Sequence, residues 1–139
     1  MLGPFFAVST SLASDDDHSV VVIEQNFRQP PEIVFDYFVV PLMLEEWNSP
    51  AEITLIEPGE DPREPYGFGA VRRVKAPILG TFDENIVQFQ RPHLISYYFD
   101  KSRIARNTWG SVNLIPQEDR WTHVKWTIEY QSQIGRAHV

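Results

Sequence analysis

Residues 19–50 read SVVVIEQNFRQPPEIVFDYFVVPLMLEEWNSP, and their order decides the class of fold. Residues 19–27 are rich in β-branched side chains and predict a strand. Pro30 and Pro31 stop it. Pro31 suits the first turn of a helix, where its missing N–H costs nothing, and Glu32 sits well beside the positive end of the helix dipole. Ile33, Val34, Tyr37 and Phe38 recur at helical spacing and make one apolar stripe. Pro41 breaks that helix, and residues 42–47 predict a second short one. A strand therefore leads directly into two short helices in tandem.

Beyond Pro50 the pattern changes. Residues 52–57 (EITLIE) alternate as a strand does, and residues 58–69 form a loop with three prolines and three glycines. Residues 70–75, 81–89, 94–99, 108–115 and 121–130 are five more predicted strands. Short connections containing proline, glycine or runs of polar residues separate them. Six strands in sequence, joined so closely, imply an antiparallel meander. The last is the clearest. Thr122, Val124, Trp126, Ile128 and Tyr130 share one face, while Trp121, His123, Lys125, Thr127 and Glu129 share the other. One face belongs on a core or cavity and the other in water.

Bulk properties narrow the function. The 139 residues suit one domain, and 42% hydrophobic with 22% charged residues is ordinary for a globular protein. A formal net charge of −7 disfavours nucleic acid and anionic membranes as partners. No apolar run is long enough to span a bilayer. The absence of cysteine excludes disulfides, thiolate zinc sites and cysteine nucleophiles, and fits a cytoplasmic location. Residues 1–18 are expected to be a disordered leader. They are apolar at first but lack the basic start of a signal peptide, and they end in an acidic run.

Several segments together resemble the polyketide cyclase/dehydrase and lipid-transport family of the START-like (SRPBCC) superfamily. They are residues 29–37 (QPPEIVFDY), 44–50 (LEEWNSP), 66–72 (YGFGAVR), 84–97 (ENIVQFQRPHLISY), and 109–116 (WGSVNLIP) followed by 122–126 (THVKW). The resemblance covers about residues 19–133. It implies an α+β helix-grip fold (START/Bet v 1-like). In that fold a seven-stranded antiparallel sheet, with two short helices after its first strand, curls around a long C-terminal helix, leaving a cavity between them. That helix is expected to be missing here, because residues 131–139 lack apolar periodicity. Residues 134–139 (IGRAHV) read as the translation of a common sequencing adapter, so a non-native tail is expected. Self-association through an exposed apolar face bearing Trp126, Ile128 and Tyr130 follows as an expectation.

The resemblance implies three functions. One is binding of a small hydrophobic or aromatic ligand, polyketide- or lipid-like. The second is a cyclase or dehydratase in which a cavity acid/base moves protons. The third is a regulatory or co-chaperone-like interaction domain. The large aromatics suit a cavity for flat apolar molecules. Tyr97, Phe99, Trp109, Asn113 and Trp126 are the expected cavity contacts, with Arg72 to orient a polar ligand group. Of the neighbours Asp83 and Glu84 only one can face inward, and Glu84 is the candidate acid/base. Residues 67–69 (GFG) lack the third glycine and the following helix of a dinucleotide fingerprint, and read as a tight loop at the cavity mouth. The four histidines, His18, His93, His123 and His138, are not at metal-ligand spacing. No metal and no cofactor is expected.

Overall fold

The computed structural model describes residues 8–15, 18–47 and 50–132. Their order is β1 (Val8–Asp15), β2 (His18–Phe27), α1 (Pro31–Val39), α2 (Pro41–Trp47), β3 (Glu52–Glu57), β4 (Val71–Ala76), β5 (Gly80–Gln90), β6 (Leu94–Lys101), β7 (Ala105–Pro116) and β8 (Thr122–Ser132). All strands form one antiparallel sheet in the order β1-β2-β8-β7-β6-β5-β4-β3. The strands β2–β8 with α1 and α2 are the expected seven-stranded arrangement.

One expectation needs correction. Residues 8–15, assigned from sequence to a disordered leader, form a strand antiparallel to β2, with Leu12 opposite Val21 and Asp15 opposite His18. His18 belongs to β2. The physical reason is the free edge. Without β1, the outer side of β2 would present a row of unpaired N–H and C=O groups. Residues 134–139 lie outside the described residues, as does the side chain of Trp47.

Helix α1 starts as its sequence dictates. The Pro30 carbonyl accepts from the backbone N–H of Ile33 (3.0 Å) and Val34 (3.1 Å), and Pro31 occupies the first turn. The helix lies on the concave face of the sheet. Its Val34, Phe35, Phe38 and Val39 are buried with Phe27, Ile95, Val112, Leu114 and Val124. Phe38 meets Phe27 edge-on at 6.5 Å and Trp126 at 6.0 Å. The Glu45 carboxylate accepts from the Ile53 N–H (2.7 Å), tying α2 to β3.

The loop between β3 and β4 is a structural loop. Gly69 has φ +87°, a conformation open to glycine and strained for other residues. Arg91 clamps the loop, donating to Glu64 (2.9 Å) and to Asp36 of α1 (2.5 Å). None of its residues lines the cavity described below, so the expected place at the cavity mouth is corrected. Its closing bonds run to β5, Gly69 N–H to Ile86 O.

Candidate functional site

Helix α1 fills only part of the concave face. Beside it lies a cavity of about 430 Å³, within the range of small-molecule sites. Its wall is mostly apolar: Ile53, Val74, Phe82, Phe99, Ile128 and others, with Leu44 of α2. The polar members are Arg72, Glu84, Tyr97, Ser102, Thr108, Trp126 and Tyr130.

Strand parity places these side chains. On β4 and β5, Arg72, Val74, Phe82 and Glu84 point inward, while the neighbours Arg73 and Asp83 point out. Arg72 (5% exposed) and Glu84 (8%) are opposite each other in register, and Arg72 Nε donates to Glu84 Oε1 at 2.7 Å. Arg72 Nη1 also donates to the Phe38 carbonyl (3.0 Å). That carbonyl is in the last turn of α1, where helix geometry leaves acceptors unsatisfied and a cation is favourable. Arg72 therefore does two structural jobs at the cavity wall. Arg73 and Asp83 repeat the pairing on the solvent side at 2.8 Å.

Tyr97 and Trp126 mark the border between packed core and cavity. Trp126 Nε1 donates to the Tyr97 hydroxyl (3.1 Å) across β7. The two residues are two strands apart, and what lets them meet is Gly110. It lies opposite Tyr97 on β6 and opposite Ile128 on β8. A methyl group there would overlap the Tyr97 ring. Burial raises the Tyr97 pKa well above the ordinary phenol value, and the nearby Glu84 charge adds to it. Phe99 stacks obliquely on Phe82 (4.2 Å) to form the floor.

The structure thus brings together Arg72, Glu84, Tyr97, Phe99 and Trp126 of the expected residues. Trp109 and Asn113 are corrections. Trp109 is 49% exposed and rests on Tyr98 (4.7 Å) on the outer face. Asn113 is exposed there too, opposite Lys125. Val112 and Leu114 take the inward phase, so Asn113 between them and Trp109 before Gly110 must face out. That apolar alternation was the signal in the sequence.

Thr108 was missed. A register shift between Arg106 and Trp109 interrupts β7, with Asn107 at φ 49°. Asn tolerates this conformation better than most residues. The bulge resets the parity, so Ala105 and Thr108 both line the cavity. The Thr108 hydroxyl is buried and has no hydrogen-bond partner. Thr108 shares the two-residue phase of Val112 and Leu114, so that alternation was its signal in the sequence too, while the bulge, which leaves no periodic mark, hid only Ala105.

His123 lies outside the cavity. Its ring nitrogens face Asn26 (2.7 Å) and Glu24 (2.9 Å) across β2 and β8. Among the described residues no three His, Cys, Asp or Glu side chains converge as metal ligands. No described helix is long and apolar enough to cross a membrane.

The family model for polyketide cyclase / dehydrase and lipid transport matches residues 19–138. Among solved structures, CalU16 from Micromonospora echinospora has a TM-score of 0.68 at 12% identity, covering 91% of this chain and 71% of its own. Ara h 8.0201 has 0.64 at 15% identity, covering 88% and 82%. An HSP90 activator from Plasmodium falciparum has 0.59 at 17% identity, covering 78% and 71%. These identities show a shared fold. No curated protein matches the chain in sequence.

Proposed function

Because the chain belongs to the polyketide cyclase/dehydrase and lipid-transport family, we propose that its cavity binds a small hydrophobic or aromatic molecule, polyketide- or lipid-like. The observation that carries this reading is the cavity itself, about 430 Å³ and mostly apolar in its lining. An apolar molecule that enters such a lining leaves water for an apolar surround, and gains dispersion contacts with the wall.

The cavity's chemistry favours holding a ligand over turning one over. A cyclase or dehydratase needs a side chain placed to move a proton. Glu84 commits one carboxylate oxygen to Arg72. Tyr97 keeps its proton because burial disfavours the phenolate. The likeness to an HSP90 activator is one of fold and carries no partner to this chain.

The test uses N-phenyl-1-naphthylamine, a neutral apolar dye that brightens when it leaves water. The expected result is saturable binding of one dye per chain, lost when Val74→Trp fills the cavity. Absence of binding by the folded protein, or undiminished binding by a folded Val74→Trp variant, overturns the reading.

A further inference from the structure

The cavity wall contains two hydroxyls with hydrogen-bonding capacity left over. The Thr108 side chain is 3% exposed and its Oγ1 has no partner. The Tyr97 oxygen accepts the Trp126 indole N–H, yet among the described residues nothing accepts the proton that Tyr97 carries. Both groups sit over β7. Thr108 is on the inward face of that strand, and the Tyr97 ring covers Gly110, the next inward position. Successive inward positions are about 7 Å apart. A buried polar group without a partner costs about 1–3 kcal/mol. One such group, Thr108, beside a Tyr97 hydroxyl whose proton has no acceptor among the described residues, marks the spot on this otherwise apolar wall where something polar belongs.

The nearby charges indicate what kind of group that is. The Arg72 guanidinium is already matched by Glu84 and by the Phe38 carbonyl. A carboxylate entering the cavity would find a neutralised cation and the Glu84 charge beside it, and would lose its water without compensation. A neutral oxygen meets no such penalty, and it can accept from the hydroxyls.

We propose, building on the reading that the cavity holds an apolar molecule, that this molecule carries one uncharged oxygen. That oxygen, a ketone or hydroxyl, is seated against Thr108 and Tyr97, and carboxylic acids are selected against. Tyr97 is the donor, since its burial keeps the proton in place. Thr108 serves as donor to a ketone, or as donor and acceptor to a hydroxyl.

Displacement of N-phenyl-1-naphthylamine by three probes of matched shape tests this: 2-acetylnaphthalene, 2-ethylnaphthalene and 2-naphthoate. The ketone is expected to bind about tenfold more tightly than the hydrocarbon, the effect of roughly one good hydrogen bond, and the carboxylate more weakly than either. Thr108→Val and Tyr97→Phe are each expected to shrink the ratio of ketone to hydrocarbon affinity toward unity. Equal affinities for ketone and hydrocarbon, tightest binding of the carboxylate, or a preference that survives both substitutions overturns the proposal and leaves the apolar cavity standing. Failure of the dye and all three probes to bind sinks the cavity reading, and this proposal with it. A second measurement needs no ligand. Thr108→Val is expected to raise the urea midpoint, because a methyl replaces a buried hydroxyl without a partner. A lowered midpoint means the hydroxyl has a partner in the free protein, and overturns the proposal.

Discussion

The Tyr97 ring occupies the space that a side chain on Gly110 would need, and its hydroxyl thereby reaches the Trp126 indole at 3.1 Å. The absence of one Cβ links three strands at the border of the cavity. Gly110→Ala is expected to destabilise the protein by about 1–3 kcal/mol through overpacking. This exceeds the few tenths to 1 kcal/mol that alanine gains over glycine by restricting the unfolded chain. Urea unfolding measures it. In a Tyr97→Leu background the same substitution should cost much less, because the two residues share one volume.

The two ion pairs of β4 and β5 are expected to behave differently. Breaking the buried Arg72–Glu84 pair with Glu84→Ala should cost roughly 3–5 kcal/mol, since it strands a guanidinium inside the protein. Removing both partners, as Arg72→Met with Glu84→Leu, should recover most of that loss. Asp83→Ala on the solvent side should cost under about 1 kcal/mol, because side chains 45% and 40% exposed are screened by water. Equal costs for the two single variants in denaturant titrations would refute the difference.

Alkaline titration reads the buried phenol. Tyr97 has a raised pKa in the folded state, so its contribution is fully present below the unfolded value of about 10. As pH rises above that value the unfolded chain releases the proton first. Stability should then fall by up to about 1.4 kcal/mol per pH unit from this group. Tyr97→Phe should flatten that decline. Ultraviolet absorbance should show Tyr97 resisting ionisation until the protein unfolds, a signal that Tyr97→Phe removes.

Acid titration reads the outer pair. Arg73 holds the Asp83 carboxyl below its usual range. Its contribution is therefore present above the unfolded value of about 4 and is lost as pH falls through the lower folded value. Comparison with Asp83→Asn between pH 6 and pH 2 should show a difference of under about 1 kcal/mol that shrinks as salt is added.

Trp109 lies on the outer face against Tyr98. Trp109→Ala should leave binding of N-phenyl-1-naphthylamine unchanged and remove about 0.5–1.5 kcal/mol of aromatic packing. A variant that folds but no longer binds the dye would place the cavity elsewhere.

Much of this was legible in the residues themselves. Pro30, Pro31 and Pro41 announce the two helices, because proline lacks the N–H that a strand or a helix interior needs. The alternation of Thr122, Val124, Trp126, Ile128 and Tyr130 named the inward face of β8, and all five are buried or half-buried there. The same two-residue period showed that only one of Asp83 and Glu84 enters. On β7 side-chain chemistry misled where the period did not. Trp109 and Asn113 invite a cavity role by chemistry, yet Val112 and Leu114 claim the inward phase and the bulge at Asn107 restarts the count.

The sequence by itself determined the order of elements, the antiparallel meander and the family, because these follow from local propensity, turn chemistry and short motifs. Only the tertiary structure decided which strand closes the β2 edge, that Arg72 meets both Glu84 and the end of α1, that Gly110 leaves room for Tyr97, and that Thr108 faces the cavity without a partner. Those are relations between residues far apart in the chain. They depend on register, bulges and shared volume, quantities that no single segment contains.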